Sequence, residues 1–207
     1  MNYFPLLLNI EFKTAVVVGG GHVARQKVEA LIPTKANIVV VSPIITEELA
    51  VYVEQQAVIW KQKEFEPSDL DDAVLVFAVT DKKEVNDAVE EATQHWQLLS
   101  RADALGRVDF INPAVVRRGD FMLTVSTSGA SPRLTRQVKE QLAQTYGDYY
   151  EQYVAFLGQA RRRIIETVDG ETKKQYLIDL LDPQLLEWVK DGRLDDCENW
   201  LQQKLGD

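Results

Sequence analysis

The sequence of 207 residues has room for one large domain, or for a medium domain with an appendage, and 45% of it is hydrophobic. Its net charge of −9 argues against general binding to nucleic acids or anionic membranes, and no apolar run reaches the length of a transmembrane helix. The lone Cys197 and two histidines exclude an intrachain disulfide and leave little material for a metal site. We therefore expect no metal ligands and a cytoplasmic location.

The first predicted elements are a strand, a second strand and a helix. Leu6–Ile10 is predicted to be a short strand rather than part of a signal peptide, because no basic flank precedes it. Thr14–Val18 is an apolar run typical of a buried parallel strand. A helical pattern over Val23–Leu31 follows, and three glycines separate it from the strand.

The glycine turn matches the spacing G-x-G-x-x-G/A, with Gly19, Gly21 and Ala24 at the fixed positions. The first glycine permits the tight turn, the second lets a pyrophosphate approach the backbone, and the small alanine lets helix and strand pack closely. The helix N-terminus offers free N–H groups to an anion, and His22 is expected to border the phosphates. A purely structural turn is the alternative, but the strand before it and the helix after it favour a bound dinucleotide.

The second predicted parallel strand, Asn37–Val41, ends at Ser42 and Pro43. An acidic residue at this position often holds the ribose of NAD, whereas an arginine accommodates the 2′-phosphate of NADP. The sequence has neither, and the missing arginine favours NAD. The alternative role for Ser42 and Pro43 is simply to end the strand.

Strands and helices continue up to Asp103, which predicts an α/β sheet with short connections. Thr80 and Asp81 follow a wholly apolar strand, where strand ends line the cofactor crevice of a doubly wound sheet. The alternative role of Asp81 is the N-cap of the next helix. The predicted elements are the helix Thr46–Gln55, the strand Val58–Lys61, the turn or short helix Pro67–Asp72, the strand Val74–Val79, the helix Glu84–Thr93 and the strand beginning at Gln97–Leu99.

After residue 104 the pattern changes to short strands broken by Pro113, and then to helices. Ser131 is a good N-cap and Pro132 a good first residue for the first of these helices. The predicted elements are the strands Val115–Arg118 and Phe121–Ser126 and the helices Arg133–Thr145, Tyr149–Thr167, Lys173–Leu181, Pro183–Lys190 and Leu194–Leu205.

Six arginines and three aspartates lie between Arg101 and Arg136, so this stretch is positive within an acidic chain. Arginine binds carboxylates and phosphates in a forked geometry, and the stretch therefore predicts an anionic ligand. The alternative is a set of separately solvated arginines. Asp103 is expected at a strand end on the nicotinamide side of the crevice, where a carboxylate could take a proton as hydride leaves a neighbouring carbon. A turn or cap aspartate is the alternative.

Four segments, in order over about residues 3–145, carry a resemblance to a known family: PLLLNIEFKTAVVVGGGHVARQKVEALI, NIVVVSP, VFAVTDKKEVNDAV and DFINPAVVRRGDFMLTVSTSGASPRLTRQVKEQL. The sequence resembles the precorrin-2 dehydrogenases of siroheme synthesis, some of which are also ferrochelatases. The resemblance implies oxidation of precorrin-2, a tetrapyrrole, to sirohydrochlorin with NAD+ as the acceptor. It leaves open whether Fe2+ is inserted at the same site.

The resemblance also implies a homodimer and an organisation in three parts. These would be an NAD-binding Rossmann domain over residues 1–113, a dimerisation segment over residues 114–147 and a helical C-terminal domain over residues 148–207. NAD contacts are implied at His22 and Val23 in the glycine turn, and at Pro43 and Ile44 after the second strand.

The catalytic aspartate of the family lies in a segment like N-V-x-D, which corresponds here to Asp103 preceded by Ser100 and Arg101 in place of Asn-Val. Precorrin-2 carries many carboxylates, so an acidic protein needs a local basic surface to accept it. The helix N-terminus at Ser131 could add its amides to this surface. The residues expected to bind the substrate are Arg117, Arg118, Ser128, Ser131 and Arg133.

A nucleotide-sensing module is the alternative from another functional class. Such a module, like the Rossmann regulatory domains of ion-transport systems, binds NAD without turnover. The arginine-rich stretch and the SxxGxSP segment favour the enzyme instead.

Overall fold

A five-stranded parallel sheet organises the first half of the chain. The computed structural model describes residues 3–103 and 105–206. The strands are β1 (Thr14–Val18), β2 (Asn37–Val41), β3 (Ile59–Lys61), β4 (Ala73–Ala78) and β5 (Leu98–Arg101). They lie in the order β3-β2-β1-β4-β5, so the chain builds outward on one side of β1 and then on the other. Ligands of open α/β sheets bind at the carboxyl ends of the strands, where the order reverses in this way.

Helices cover both faces of the sheet, because its strands are nearly continuous apolar runs. The helices are α1 (His22–Leu31), α2 (Glu47–Glu54) and α3 (Lys83–Ala92). Successive side chains of β1 point to opposite faces. Val17 therefore packs in the cluster that contains Val28 of α1 and Leu49 of α2, whereas Val16 packs in the cluster that contains Val89 of α3.

The prediction of a strand at Leu6–Ile10 is wrong. The segment belongs to neither sheet, and Leu6 and Leu7 are 60% and 76% exposed. Ile10 is its one buried residue and joins the core beside β1. Only Ile10 of this apolar run reaches the core, and no neighbouring strand pairs with the run in a sheet.

The other predicted elements of this half are present, with small shifts at their ends. The hydroxyl of Thr46 accepts a hydrogen bond from the amide of Leu49 (3.4 Å), so Thr46 is the N-cap of α2 and lies outside the helix. Pro33 lies within a 3-10 turn, Ile32–Thr34, that follows α1. The predicted turn or short helix after β3 is the 3-10 turn Pro67–Leu70.

The second half of the chain starts with an antiparallel hairpin and continues as helices. The hairpin pairs β6 (Ala114–Arg118) with β7 (Phe121–Val125). The helices are α4 (Pro132–Thr145), α5 (Tyr149–Thr167), α6 (Gly170–Asp179), α7 (Pro183–Lys190) and α8 (Leu194–Leu205). α6 begins three residues before its predicted start at Lys173. An ion pair between Asp169 and Lys173 and the acidic Glu171 in the first turn favour this earlier start.

The helices of the second half have a hydrophobic core of their own. The buried face of α5 carries Tyr153, Phe156, Ala160 and Ile164, at the spacing of three and four residues that places side chains on one side of a helix. These residues form one cluster with buried side chains of α7 and α8, including the thiol of Cys197.

The chain divides into two compact units, Met1–Asn112 and Pro113–Asp207. The finer division of the second unit into a dimerisation segment, 114–147, and a helical domain, 148–207, stays a prediction. Within the part of the chain that the structure describes, no helix combines the length and the apolar character needed to cross a membrane.

Candidate functional site

The glycine turn after β1 packs tightly between two loops. Gly19 has a φ of +129°, and a Cβ on it would lie 2.8 Å from the carbonyl oxygen of Val79, just after β4. A Cβ on Gly20 would lie 2.0 Å from the carbonyl oxygen of Ile44, after β2. Side chains are therefore excluded at both positions, and the turn lies against the loops that follow the two neighbouring strands.

Gly21 is different, because a Cβ on it would meet no atom within 4 Å. It is the N-cap of α1, it has no side chain to cap the helix, and the first turn of α1 contains no acidic residue. The first amides of α1 are therefore available to an anion that approaches Gly21. The open space and the free amides fit the pyrophosphate of a dinucleotide.

The three predicted residues that open α1 differ in exposure. His22 is exposed, and Val23 is 41% exposed. Ala24 is buried in the core cluster between α1 and the sheet. His22 and Val23 are therefore accessible to a ligand at the glycine turn, while the side chain of Ala24 serves the close packing that the motif predicts.

The predicted ribose-side residues form a turn directly beside Gly20. The Ser42 hydroxyl donates a hydrogen bond to the carbonyl of Ile44 (2.7 Å), and the indole of Trp60 donates one to the carbonyl of Ser42 (2.9 Å). Ser42 thus shapes the end of β2, as its alternative role predicts. Pro43 and Ile44 are exposed next to the glycine turn, so both are accessible to a cofactor bound at that turn.

The loop after β4 is held by a buried asparagine of α3. Asn86 accepts hydrogen bonds from the Thr80 amide (3.2 Å) and the Thr80 hydroxyl (2.8 Å), and it donates one to the Thr80 carbonyl (3.1 Å). Asp81 is exposed and does not cap α3, whose N-cap is Lys82 with no side-chain hydrogen bond. The capping alternative for Asp81 is therefore wrong, because the helix starts one residue too late for it.

Asn86 also reaches Asp103, which ties the predicted catalytic residue to the same edge of the sheet. Its amide group donates a hydrogen bond to Asp103 Oδ2 (3.2 Å), and the backbone amide of Leu105 donates one to Oδ1 (3.2 Å). Asn86 thereby joins the loop after β5 to Thr80, and the adjacent Val79 touches Gly19. The structure therefore links Asp103 to the glycine turn indirectly, through Asn86 and the loop after β4.

The strongest partner of Asp103 is Arg101 at the end of β5. Arg101 donates from Nε to Oδ1 (3.0 Å) and from Nη2 to Oδ2 (2.8 Å), a forked pair. This guanidinium holds the pKa of the Asp103 carboxyl far below its usual range. Hydrogen bonds to carboxylates raise the pKa of Arg101 in turn. Asp103 is therefore ionised at neutral pH and is a weak proton acceptor.

Carboxylates surround Arg101 on its other side as well. Asp87 and Glu90 of α3 accept hydrogen bonds from its two terminal nitrogens at 2.9 Å and 2.5 Å. A surface depression of about 350 Å³ beside them is lined by three acids of α3, by two cations and by two uncharged residues: Asp87, Glu90, Glu91, Lys83, Arg101, Leu105 and Gly106. Because both cations are already paired with acids of α3, this depression does not suit a substrate that carries many carboxylates.

Two of the six arginines in the basic stretch are used inside the first unit. Arg101 forms ion pairs with three carboxylates. Arg107 pairs with Asp109 (2.9 Å) and also donates to the backbone carbonyl of Gln97 (2.8 Å). The expectation of one arginine-lined surface along the whole stretch is therefore wrong for these two, because local acids and carbonyls bind them.

The predicted substrate-binding residues all lie in the second unit. Arg117 and Arg133 are exposed, and Arg118 lies 3.0 Å from Asp148. Ser128 is exposed, with a φ of +52°, and Ser131 is the N-cap of α4, where its hydroxyl accepts from the amide of Leu134 (3.3 Å). Their roles toward a substrate stay predictions.

Sequence reasoning missed Asn86 and the steric role of Gly20. Asn86 is only 1% exposed although it is polar, and it follows Val85 and precedes Val89 on the apolar side of α3. A polar residue inside an apolar helical stripe is a sequence signal that could have pointed to it. Gly20 occupies a variable position of the glycine motif, so the motif alone gave no reason to single it out.

Among the described residues, no group of three or more His, Cys, Asp or Glu side chains is placed to hold a metal ion.

Comparison with known proteins agrees with this geometry. Residues 6–114 match the family described as "Putative NAD(P)-binding", and residues 123–145 match the family described as "Sirohaem biosynthesis protein central". Siroheme synthase of Photobacterium profundum is 32% identical over 197 residues, which cover 95% of this chain and 40% of that protein. Siroheme synthase of Pseudoalteromonas atlantica is 32% identical over 99% of this chain and 45% of its own length.

The chain spans less than half the length of these curated relatives. A solved structure of SirC, precorrin-2 dehydrogenase, superimposes with a TM-score of 0.82 at 28% sequence identity and covers 98% of both chains. The fold and the glycine turn thus define a Rossmann-type NAD(P)-binding protein, which confirms the predicted fold class and the dinucleotide cofactor. Within that class, the chain belongs to the family described as "Putative NAD(P)-binding", and its residues 123–145 carry the additional match to the siroheme biosynthesis family.

Proposed function

We propose that the chain oxidises precorrin-2 to sirohydrochlorin with NAD+ as the electron acceptor. The observation that carries the proposal is the position of the Asp103 carboxylate, which Asn86 joins to the loop that packs on the glycine turn. An ionised group at this edge of the sheet lies on the side where a dinucleotide is bound in this fold. The names of the relatives, siroheme synthase and precorrin-2 dehydrogenase, support the choice of substrate.

The cofactor would be held by the glycine turn and the two loops that flank it. The amides at Gly21, His22 and Val23 suit the pyrophosphate, and Gly19 permits the turn. Ser42, Pro43 and Ile44 would border the adenosine ribose, and Thr80 and Asp81 the nicotinamide side. Ala24 contributes by packing α1 onto the sheet. When bound, NAD+ supplies the acceptor for the hydride that the tetrapyrrole loses.

Asp103 would act as a fixed negative charge rather than as a strong base. Oxidation removes from the tetrapyrrole a hydride, which NAD+ would accept, and a proton, which would pass to solvent water, and loss of the hydride leaves positive charge on the macrocycle. A carboxylate that is already oriented stabilises this charge as it develops. Because Arg101 holds its pKa far below the usual range, Asp103 keeps its charge throughout and gives the departing proton little attraction.

The second unit would supply the groups that bind the substrate carboxylates. Arg117 and Arg133 are exposed, and none of their described contacts is with a carboxylate. Ser128 and Ser131 lie in the loop that leads into α4, whose N-terminal amides favour an anion. Arg118, which already lies near the exposed Asp148, would exchange this partner for a substrate carboxylate.

The test is NADH formation by the purified chain with precorrin-2, followed by absorbance. We expect Asp103→Asn to lower kcat by at least about tenfold, because the neutral amide cannot stabilise the positive charge. Asp72→Asn, an exposed aspartate before β4, is the matched control and should retain wild-type kcat. NAD+ binding without turnover by the wild type would instead support the nucleotide-sensing module.

Insertion of Fe2+ at the same site is not favoured by the geometry around Asp103. Metal insertion requires that pyrrole nitrogens give up their protons, and a carboxylate paired with Arg101 is a poor acceptor for them. We therefore predict no metallated spectrum when sirohydrochlorin and Fe2+ or Co2+ are supplied without oxygen. Rapid metallation that depends on the protein and is lost in Asp103→Asn would contradict this prediction.

A homodimer is proposed from the surface of α4. None of the residues of α4 is buried within the chain, and Leu134 is 49% exposed. A second copy of the chain that packs on this helix would cover the exposed apolar side chain. Light scattering should give the mass of a dimer for the wild type and of a monomer for Leu134→Asp. Gln144→Asp, at an exposed polar position of α4, is the control and should stay dimeric.

A further inference from the structure

The guanidinium of Arg101 is buried, and its described hydrogen bonds are all to carboxylates of the protein. Its side chain is 2% exposed, and it contacts carboxylates from two elements: Asp87 and Glu90 of α3 and Asp103 after β5. A substrate carboxylate cannot reach a cation that is buried and already surrounded by acids. Whatever Arg101 contributes to the site, it contributes through the groups that it holds.

The contact with Asp103 fixes the orientation of that carboxylate. Nε and Nη2 of Arg101 meet the two different oxygens of Asp103, at 3.0 Å and 2.8 Å. A forked contact of this kind restricts rotation about the bond to the carboxyl group, which a single hydrogen bond does not. The amides of Leu105 and Asn86 add one further contact to each oxygen.

Arg101 is itself held in place from α3. Glu90 accepts from Nη1 and Asp87 from Nη2, and Glu90 also accepts from the backbone amide of Arg107 (3.0 Å). Asp87 is shared with Lys83, 2.5 Å away. The guanidinium therefore cannot swing away from Asp103 without breaking ion pairs on α3.

We propose that Arg101 is a positioning residue, which keeps the Asp103 carboxylate charged and in one orientation toward the bound substrate. The proposal rests on the function proposed above, in which Asp103 stabilises positive charge on the tetrapyrrole. It adds Arg101 to that site, and the acidic residues of α3 hold Arg101 in place. Arg101 acts through Asp103 and does not touch the substrate.

The charges that face Asp103 give the proposal a pH dependence. Arg101 is the cation at its carboxylate, and Asp87 and Glu90 lie beyond Arg101 on α3, with Lys83 bound to Asp87. With Arg101 in place, the pKa of Asp103 is far below its usual range. Without it, two acids of α3 remain near Asp103 with no guanidinium between them. The carboxyl would then take up a proton at a higher pH than in the wild type.

The activity test compares the wild type with Arg101→Met and Arg101→Lys from about pH 4 to about pH 8, a range that begins at the ordinary carboxyl pKa and extends well above it. For Arg101→Met we expect kcat to fall at least about tenfold at the acid end and to recover partly as the pH rises, since Asp103 regains its charge. Arg101→Lys keeps one positive charge but not the fork, so it should lose kcat by a smaller factor and show a weaker acid limb. NAD+ affinity, measured by calorimetry, should stay within about twofold in both variants.

A second readout needs no turnover. Carbon NMR of the aspartate carboxyls, with the Asp103 signal assigned by its absence in Asp103→Asn, reports the titration of this group directly. We expect Asp103 to stay ionised to the lowest pH at which the wild-type fold persists, and to titrate at a clearly higher pH in Arg101→Lys and Arg101→Met. If Arg101→Met does not fold, Arg101→Lys alone decides the outcome.

The two readouts separate the failure of this inference from failure of the proposed function. If the wild type forms no NADH with precorrin-2 while Asp103 titrates as expected, the proposed reaction is wrong and the ion-pair role of Arg101 stands. An unchanged titration of Asp103 in the folded variants overturns the inference. So does a pH profile of kcat in Arg101→Met that matches the wild type.

Discussion

Gly20 and Gly21, in the turn after β1, are required for different physical reasons. Gly20 is required by the protein, because a Cβ there would lie 2.0 Å from the carbonyl oxygen of Ile44. Gly21 faces open space, so the protein itself would tolerate a side chain there. We infer that Gly21 is kept free for the approach of a pyrophosphate.

This contrast predicts that two alanine substitutions will separate folding from cofactor binding. Gly20→Ala should lower the melting temperature and weaken NAD+ binding, because the turn must move away from the loop after β2. Gly21→Ala should leave the melting temperature within about 2 °C and still weaken NAD+ binding at least about tenfold. Thermal unfolding and calorimetric titration with NAD+ measure both effects. Unchanged NAD+ affinity in Gly21→Ala would remove the glycine turn from the cofactor site.

The positions of single residues could be predicted where a motif has a fixed spacing. They could not be predicted where the direction of a buried side chain determines its contacts. The glycine spacing predicted the turn at Gly19 and Gly21, and the end of a strand predicted the position of Asp103, whose catalytic role stays a prediction. The ion pair of Asp103 with Arg101 was missed, because a sequence gives no sign that an arginine at a strand end turns inward toward α3. The same limit explains why Arg101 and Arg107 were counted with a basic surface that they do not join.

At the scale of elements, the loop that leads into α4 combines a structural and a proposed binding role. The Ser131 hydroxyl caps α4 through the Leu134 amide, and the Ser131 amide in turn donates to the Thr127 hydroxyl (3.0 Å). The side chain of Ser128 is exposed in the same loop. The two serines therefore allow the structural contribution to be measured apart from the proposed contact with substrate carboxylates.

We predict that Ser131→Ala destabilises the folded state by about 1 kcal/mol, the usual cost of losing an N-cap. Ser128→Ala should leave the free energy of unfolding unchanged within about 0.5 kcal/mol, because its side chain caps nothing. Both should raise the KM for precorrin-2 if the loop binds substrate. Equal stability of the two variants in urea unfolding would show that the cap at Ser131 contributes little.

Strands could be predicted from the sequence where an apolar run packs beside a neighbouring strand in the core. The strands β1, β2 and β4 are such runs, and each is buried along almost its full length. Leu6–Ile10 is also an apolar run but buries only Ile10, so apolar character alone could not distinguish it. Partner strands are a property of the fold, and no local pattern in this segment reports their absence.

At the scale of the whole molecule, several carboxylates are held ionised by cations. Burial raises the pKa of Asp69, but hydrogen bonds from Lys61, from the backbone amide of Glu66 and from Lys63 together outweigh it, so the pKa is lowered overall. Arg101 lowers the pKa of Asp103 in the same way. A carboxyl group with a lowered pKa in the folded state stabilises the protein above its unfolded pKa, and this contribution is lost as the pH falls.

The melting temperature should therefore stay nearly constant from about pH 8 to pH 5 and fall below about pH 4, where aspartates of the unfolded chain begin to bind protons. Differential scanning calorimetry across this range checks the direction. Asp69→Asn should melt lower than the wild type at neutral pH and should lose less on acidification. A melting temperature that rises as the pH falls below 4 would contradict the ion-pair assignment.

Oxidation of precorrin-2 at Asp103 is tested by a single-turnover reaction with enzyme in excess over precorrin-2. We predict one NADH formed per precorrin-2 consumed, together with the spectrum of sirohydrochlorin, and a much slower reaction of the same stoichiometry in Asp103→Asn. Absence of NADH with intact substrate and a chain that binds NAD+, or an undiminished rate in Asp103→Asn, would contradict it.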